Sequence, residues 1–359
     1  MKILQIIPYF CFGGAEIMCE NLVYAQKQLG HEVIAVSLGP ERTVISQRME
    51  AAGVRVEYLD KKPGLDLNMI PRLVKLMKRE KPDAVHSHLS VIKYVGLAAK
   101  LAGAKKYVHT VHSVAYEEAE GPLQKITNQF YFRNGWAVPV ALSPEIQKTV
   151  LDLYGLAPEQ VPIIYNGVDL SRCIPKEDHR TGETVNILHV GRFDTPKNHP
   201  GLLRAFARLH RELPQCRLHL VGDGESRPEM EVLAKELGIG NAVTFHGMQS
   251  NVYPYLHDAD IFVLPSIYEG IPMTIIEAMG TGLPVIASAV GGVPDMLRHG
   301  ESGILVSCDP EEVSRACAGL ARDEALRRRL GETARADSVR FSAEHMAKRY
   351  CEVYVQKGR

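Results

Sequence analysis

The chain reads as an α/β protein built from two doubly wound parallel sheets. Short apolar runs alternate with helical stretches along most of its length, the pattern of β-then-α units whose strands are buried on both faces. Glycine-rich loops follow several strand candidates, at the strand ends where such sheets bind ligands. At 359 residues the chain exceeds what one core usually fills, so two domains are expected.

The first array opens with the apolar run Lys2–Ile7, a strand, followed by PYFCFGGAE (Pro8–Glu16) and an apolar-periodic helix to about Leu29. Strand, Gly-Gly turn and helix let a backbone approach a phosphate, because no Cβ intervenes and the helix dipole helps. A plain tight turn is the equal alternative, and no G-x-G-x-x-G is present. Further strands are expected at Val33–Leu38, Val54–Leu59, Ala84–His86, Tyr107–Val111 and Ala137–Leu142. Helices are expected at Thr43–Ala52, Leu67–Glu80, Tyr94–Ala102 and Pro144–Tyr154. The polar, irregular stretch after VPIIYNGVD places an interdomain boundary near Ser171–Glu183.

The second array starts with strand Val185–Val190, then Gly191-Arg192-Phe193, and a helix from Pro196-Lys197-Asn198 to about Leu213. Strand Cys216–Val221 leads to Gly222-Asp223-Gly224 and a helix from Arg227 to Leu237; strand Val243–Phe245 leads to His246-Gly247. The stretch Ile261–Val290 organises the whole. IFVL is a buried strand, Pro272 suits the first turn of a helix, Gly280 and Gly282 suit its stop, and PVIAS is the next strand. A Gly-Gly turn (Gly291, Gly292) and a helix from Val293 follow, and Phe341–Lys357 has the spacing of an amphipathic helix.

Composition excludes several classes. Lys and Arg (42) balance Asp and Glu (42), so charge gives no reason to expect nucleic acid. The seven cysteines are scattered without a C-x-x-C, which reads as reduced cytosolic thiols. The first apolar run is too short for a signal peptide, and no run has the length of a membrane span. A cytoplasmic protein is expected. Arg72, Lys75, Lys78, Arg79 and Lys81, with Lys61 and Lys62 before them, offer peripheral contact with an anionic membrane; a solvated helix face is the alternative.

The chemistry is expected at the edge where IFVL ends. Glu269 emerges there on a loop, Glu277 follows on the helix, and between them lie the N–H groups of a helix N-terminus. Arg192 and Lys197 leave the same sheet edge; an Arg fork and a Lys point charge suit a diphosphate and would stabilise charge on a departing phosphate. Either alone would be read as a solvated charge; their placement with the acidic pair decides otherwise. His112 sits just past strand YVHTV, whereas His109 lies inside it and reads as packed. His86 and His88 form an H-x-H without a third ligand, so metal is not expected. Asp258-Ala-Asp260 precedes its strand, at the wrong end for a site, and reads as a turn.

GGAE, YNGVD, GRFDTPKN, VGDGE, FHG and above all EGIPMTIIEAMGTGLPVIAS together resemble the retaining glycosyltransferases of family 4 (glycosyl transferases group 1). The resemblance covers nearly the whole chain and is stronger in its second half. It implies the GT-B fold, two Rossmann-like domains facing across a cleft: residues 1–172 on the acceptor side, 173–340 on the donor side, with the C-terminal helix 341–359 joining the first. It implies that Gly13 and Gly14 bring backbone near the donor diphosphate or acceptor, that Arg192 and Lys197 hold the diphosphate, and that Glu277 binds the ribose. It further implies that Glu269 and His112 meet the transferred sugar, that Gly270, Ile271, Pro272 and Met273 line it, and that Met248 and Gln249 border the base. Asp295 departs from the family pattern, where Glu is commoner.

The implied reaction moves a sugar from a UDP- or GDP-sugar to a glycan or lipid-linked acceptor, in cell-surface polysaccharide biosynthesis. It retains anomeric configuration, the leaving phosphate takes the acceptor's proton, and no cofactor or metal is required. Two alternatives stay open: a nucleotide-sugar epimerase of the same fold, and a non-catalytic nucleotide-sugar binding protein.

Overall fold

The structure, a computed structural model, describes residues 1–11, 13–119, 121–179 and 182–356. The chain divides into two compact units, Met1–Gly167 with Ala343–Arg359, and Val168–Ser342.

Six parallel strands form the sheet of the first unit: β1 (Lys2–Ile7), β2 (Glu32–Ser37), β3 (Arg55–Tyr58), β4 (Ala84–His88), β5 (Tyr107–Val111) and β6 (Val138–Ala141). They lie in the order β3-β2-β1-β4-β5-β6. The central strands are buried along nearly their whole length, as continuous apolar runs require in a sheet covered on both faces. Ile6 sits between Val36 of β2 and Ser87 of β4, and that register brings Gln5 beside His86. The Ala343–Val355 helix packs against the Gly14–Gln28 helix and buries Met346, Tyr350 and Tyr354. The last residues expected in that helix, 357–359, lie outside the described residues.

The second unit repeats the plan with β7 (Val185–Val190), β8 (Cys216–Val221), β9 (Val243–Gly247), β10 (Ile261–Leu264), β11 (Val285–Ser288) and β12 (Ile304–Val306). Their order is β12-β11-β10-β7-β8-β9, again all parallel. Leu218, Leu220, Ile261, Val263 and Ile286 build its core with Phe206 and Leu209 of the His199–Glu212 helix. In both sheets the order reverses beside the first strand, between β1 and β4 and between β7 and β10. Loops leaving these neighbours diverge to opposite faces, and the crevice between them is where doubly wound sheets take ligands.

Two expectations about the Met273–Thr281 helix are corrected. Pro272 is its N-cap, in extended conformation, rather than part of its first turn. Gly280 lies inside the helix, where an added Cβ would stand 2.8 Å from Cys173 Sγ; the left-handed stop is Gly282 alone, at φ 84°. Close packing, not chain reversal, accounts for Gly280. Strand β12 and the helices Ala115–Glu118, Pro122–Arg133 and Tyr253–Asp258 are among the elements beyond those expected. Among the described residues no helix is long and apolar enough to cross a membrane.

Candidate active site

The switch point of the second sheet assembles the site. The loop after β7 carries Arg192 and Lys197; the loop after β10 carries Glu269. Three contacts fasten the two loops. Ile267 N donates to Pro196 O at 2.8 Å, Asn198 Nδ2 donates to Pro265 O at 3.0 Å, and Lys197 Nζ donates to Glu269 Oε1 at 2.6 Å. Asn198 makes this possible by adopting the left-handed conformation, φ 55°, which asparagine tolerates better than most side chains, while its Oδ1 caps Gly201 N of the next helix.

Glu269 is 7% exposed. Its Oε1 also accepts from Ser266 Oγ at 2.7 Å, so one carboxylate oxygen holds two donors. Oε2 has no partner among the described residues. Its backbone is pinned from the far side: Gly292 N lies 3.4 Å from Glu269 O and 3.0 Å from Gly270 O. A Cβ at Gly292 would stand 2.5 Å from Gly270 O, so this approach requires glycine. Gly222, just after β8, meets the same demand against the loop that carries Arg192, where a Cβ would lie 1.9 Å from Gly191 O.

No side chain caps the Met273–Thr281 helix; Ile275 N donates to Pro272 O at 3.2 Å, which leaves the Met273 and Thr274 N–H groups to a partner from elsewhere. Glu277, one turn on, is buried. Desolvation pushes its carboxyl up to about 7; the Arg172 guanidinium and the Tyr253 hydroxyl, 3.5 Å from Oε1, only partly oppose this. Arg172 itself lies over the Tyr253 ring, 4.6 Å from its centre. Sequence reasoning missed both residues. Arg172 falls in a stretch that reads as linker, and Tyr253 in a helix too short to show a period.

The expected residues of this unit therefore fall into three groups. Lys197 and Glu269 are in direct contact, and Gly270, Ile271, Pro272 and Met273 run from Glu269 into the helix that carries Glu277. Arg192 leaves the same loop but is largely exposed, its Nε held by Asp194 at 2.7 Å, with no bond to Glu269. Met248 is exposed, and Gln249 donates to His246 O beyond the end of β9. Asp260 accepts from Asn186 N and Lys176 Nζ, tying strand starts together as a turn residue does.

In the first unit Gly13 is the N-cap of the Gly14–Gln28 helix, and a Cβ at Gly14 would meet nothing within 4 Å. The chain's own packing therefore does not demand glycine at 14. His112 follows β5 and is half-buried. Burial holds its imidazole down at about 4, the nearby Glu118 carboxylate offsetting this only in part. Glu118, also missed from sequence, accepts from His112 N (2.6 Å), Ser113 N (3.3 Å) and His109 Nε2 (3.2 Å), which fixes the backbone that carries His112. His109 is buried and bonded on both ring nitrogens, as its place inside the strand suggested.

Comparison with known proteins places the chain. Its residues 12–172 match the model described as Glycosyltransferase Family 4, and residues 174–337 match Glycosyl transferases group 1. A D-inositol 3-phosphate glycosyltransferase of Thermomonospora curvata is 30% identical over 76% of this chain and 71% of its own. The chain belongs to glycosyltransferase family 4. A lipopolysaccharide core biosynthesis glycosyltransferase, LpsE of Rhizobium meliloti, is 29% identical over 98% of this chain and 99% of its own. Among solved structures, Anabaena HepE in complex with UDP and glucose superposes with a TM-score of 0.85 at 20% identity, covering 98% of each chain. The fold of this family 4 glycosyltransferase is GT-B.

Proposed function

We propose that this glycosyltransferase moves a sugar from a UDP- or GDP-sugar to a glycan or lipid-linked acceptor, with retention of anomeric configuration and without a bound metal, in the making of a cell-surface polysaccharide. One observation carries the reading. Lys197 and Glu269 meet at 2.6 Å beside an uncapped helix N-terminus, at the switch point of the second sheet. An ammonium group has three N–H donors, and only one is committed to Glu269. The rest, with the helix N–H groups, suit a diphosphate whose charge grows as the sugar leaves. The neighbouring carboxylate oxygen Oε2 is open to a sugar hydroxyl, and Glu277 to the two hydroxyls of a ribose. Arg192, exposed on the same loop, swings from Asp194 to the phosphates. Gly13, Gly14, His112, Met248 and Gln249 take the roles that family membership implies: backbone near the diphosphate or acceptor, a contact to the transferred sugar, and a border to the base. The UDP and glucose bound by HepE and the lipopolysaccharide role of LpsE agree with such substrates.

The test is a panel of nucleotide-sugars screened by thermal shift, since a donor that binds only the native state raises apparent stability. The stabilising donor is then supplied with lipid-linked and glycan acceptors, with and without a chelator. Transfer with the donor's anomeric configuration kept, unchanged by the chelator, is expected. Inversion, or loss of rate on chelation, removes the corresponding part of the proposal; conversion of donor with no acceptor present points to an epimerase.

The reading also includes a cytoplasmic location with peripheral contact on anionic lipid. On the Met69–Glu80 helix Arg72 is taken up by Leu59 O and Asp60 O, and Arg79 by Glu57 and Glu80. Lys75 and Lys78, with Lys81 after them, remain as exposed cations for a surface.

A further inference from the structure

The H-x-H of β4 has a use that needs no metal. His86 and His88 are both fully buried, and all four of their ring nitrogens are hydrogen-bonded. His86 Nδ1 meets Tyr354 Oη at 2.7 Å and its Nε2 meets Thr110 Oγ1 at 2.7 Å. His88 Nε2 meets Gln5 Oε1 at 2.9 Å, and its Nδ1 meets His112 Nε2 at 3.1 Å. Gln5 Nε2 donates to Gln26 Oε1 (2.9 Å) and to Tyr354 Oη (3.2 Å), and Gln26 Nε2 donates to Tyr354 Oη at 3.2 Å.

Counting donors favours one direction for every link. If both amides were turned over, their oxygens would still be paired, Gln5 Oε1 with Gln26 Nε2 and Gln26 Oε1 with Tyr354 Oη, but only one N–H of each amide would find a partner among these groups. In the observed orientation both N–H groups of Gln5 and one of Gln26 are bonded. In the orientation observed, Tyr354 accepts two N–H bonds and donates its proton to His86 Nδ1, so His86 carries its own proton on Nε2, toward Thr110. Both N–H groups of Gln5 are spent, which leaves its oxygen as a pure acceptor. His88 must therefore hold a proton on Nε2. Burial keeps His88 neutral, so its Nδ1 is a bare lone pair. That lone pair takes the Nε2–H of His112. His112 is also neutral near pH 7, so its Nδ1 is bare, and no described residue bonds to it.

We propose that Gln5 and His88 are positioning residues that hold His112 as the Nε2–H tautomer, so that its Nδ1 stands ready as a hydrogen-bond acceptor for a hydroxyl of the bound ligand. The choice is set from Gln26 and from Tyr354 on the C-terminal helix, through an unbroken chain of buried groups. The ligand end of this chain rests on the donor reading above, in which the hydroxyl belongs to the transferred sugar; the tautomer does not. The consequence is a specificity: His112 selects a hydroxyl donor at that point and gains nothing from a group that can only accept, such as a fluorine in its place.

The experiment is imidazole nitrogen correlation spectroscopy on the ¹⁵N-labelled full chain at pH 7, with the His112 signals assigned by His112→Gln. A neutral ring with its proton on Nε2 is expected in the native protein and in His88→Gln, whose amide both accepts and donates. In His88→Leu the two nitrogens should average between tautomers. kcat/KM with the best donor should fall about tenfold, the size of one lost hydrogen bond, while His88→Gln recovers most of it. If His88→Leu does not fold, Gln5→Met removes the acceptor one link earlier and is read in the same way. A proton on Nδ1 or a charged His112 in the native protein overturns the proposal, as does an unaltered Nε2–H tautomer in His88→Leu. An Nε2–H tautomer that responds to His88→Leu in a protein with no turnover of any donor supports the chain of hydrogen bonds and sinks the donor reading instead.

Discussion

Replacing Glu277 by Gln should make the protein more stable at pH 8 and leave it nearly unchanged at pH 5. The carboxyl is buried, and desolvation lifts it from its ordinary 4.5 to about 7 despite Arg172 and Tyr253. Between these two values the native protein keeps the proton and the unfolded chain has lost it. Stability therefore falls as pH rises through the window from 4.5 to 7, and the full cost is present above it. A shift of about 2.5 units corresponds to roughly 3 kcal/mol at about 1.4 kcal/mol per unit. The amide keeps the shape and loses the charge, so Glu277→Gln should recover about 1–3 kcal/mol at pH 8, less than the whole because its own N–H groups need partners. The same charge should govern donor binding. In the proposed donor complex a ribose is gripped by the ionised carboxylate, so donor KM should fall as pH rises to 7 and then level off, whereas Glu277→Gln should show a high KM without that trend. Urea unfolding at a series of pH values, paired with donor KM, measures both. Parallel stability curves for the two proteins would refute the buried-charge argument, and a pH-independent wild-type KM would refute the binding role.

Gly292→Ala should push the loop bearing Glu269 away from its seat, since the new Cβ starts 2.5 Å from Gly270 O; kcat should drop at least tenfold while circular dichroism stays native. Lys197→Ala strands the buried Glu269 carboxylate, so it should lower stability by about 1–3 kcal/mol in denaturant and raise donor KM, and Lys197→Ala with Glu269→Gln should restore stability but not transfer. Lys75→Glu with Lys78→Glu should reduce flotation with anionic vesicles and leave turnover of a soluble acceptor intact; flotation that ignores both salt and these changes removes the membrane contact.

Most of the architecture was legible because parallel strands buried on both faces must be apolar runs, and IFVL, PVIAS and Cys216–Val221 are such runs. Their order in the sheet was not written there, although the alternation implied a doubly wound sheet and hence a switch point. Glu269 and Lys197 could be named from their position at strand ends, but the contact between them depends on Asn198 turning left-handed, a three-dimensional event no spacing predicts. Gly280 shows the opposite error. Glycine near a helix end suggests a stop, yet here it makes room for Cys173. Arg172 and Tyr253 were invisible because each acts through a neighbour distant in sequence, and Glu118 because the loop after β5 must turn back before its carboxylate can meet His112 N and Ser113 N. The H-x-H was read only as a weak metal signal; its place in a hydrogen-bond chain was hidden because its neighbours Gln5 and Tyr354 come from opposite ends of the chain.

The central claim, that the Lys197–Glu269 contact at the switch point grips an activated sugar, is tested most directly by nucleoside diphosphate release from Glu269→Ala at saturating donor and acceptor. A fall in kcat of at least a hundredfold is expected, on the scale of a lost transition-state contact, in a protein whose circular dichroism and cooperative melt remain those of a folded chain. A rate within twofold of wild type in a folded Glu269→Ala protein would contradict it.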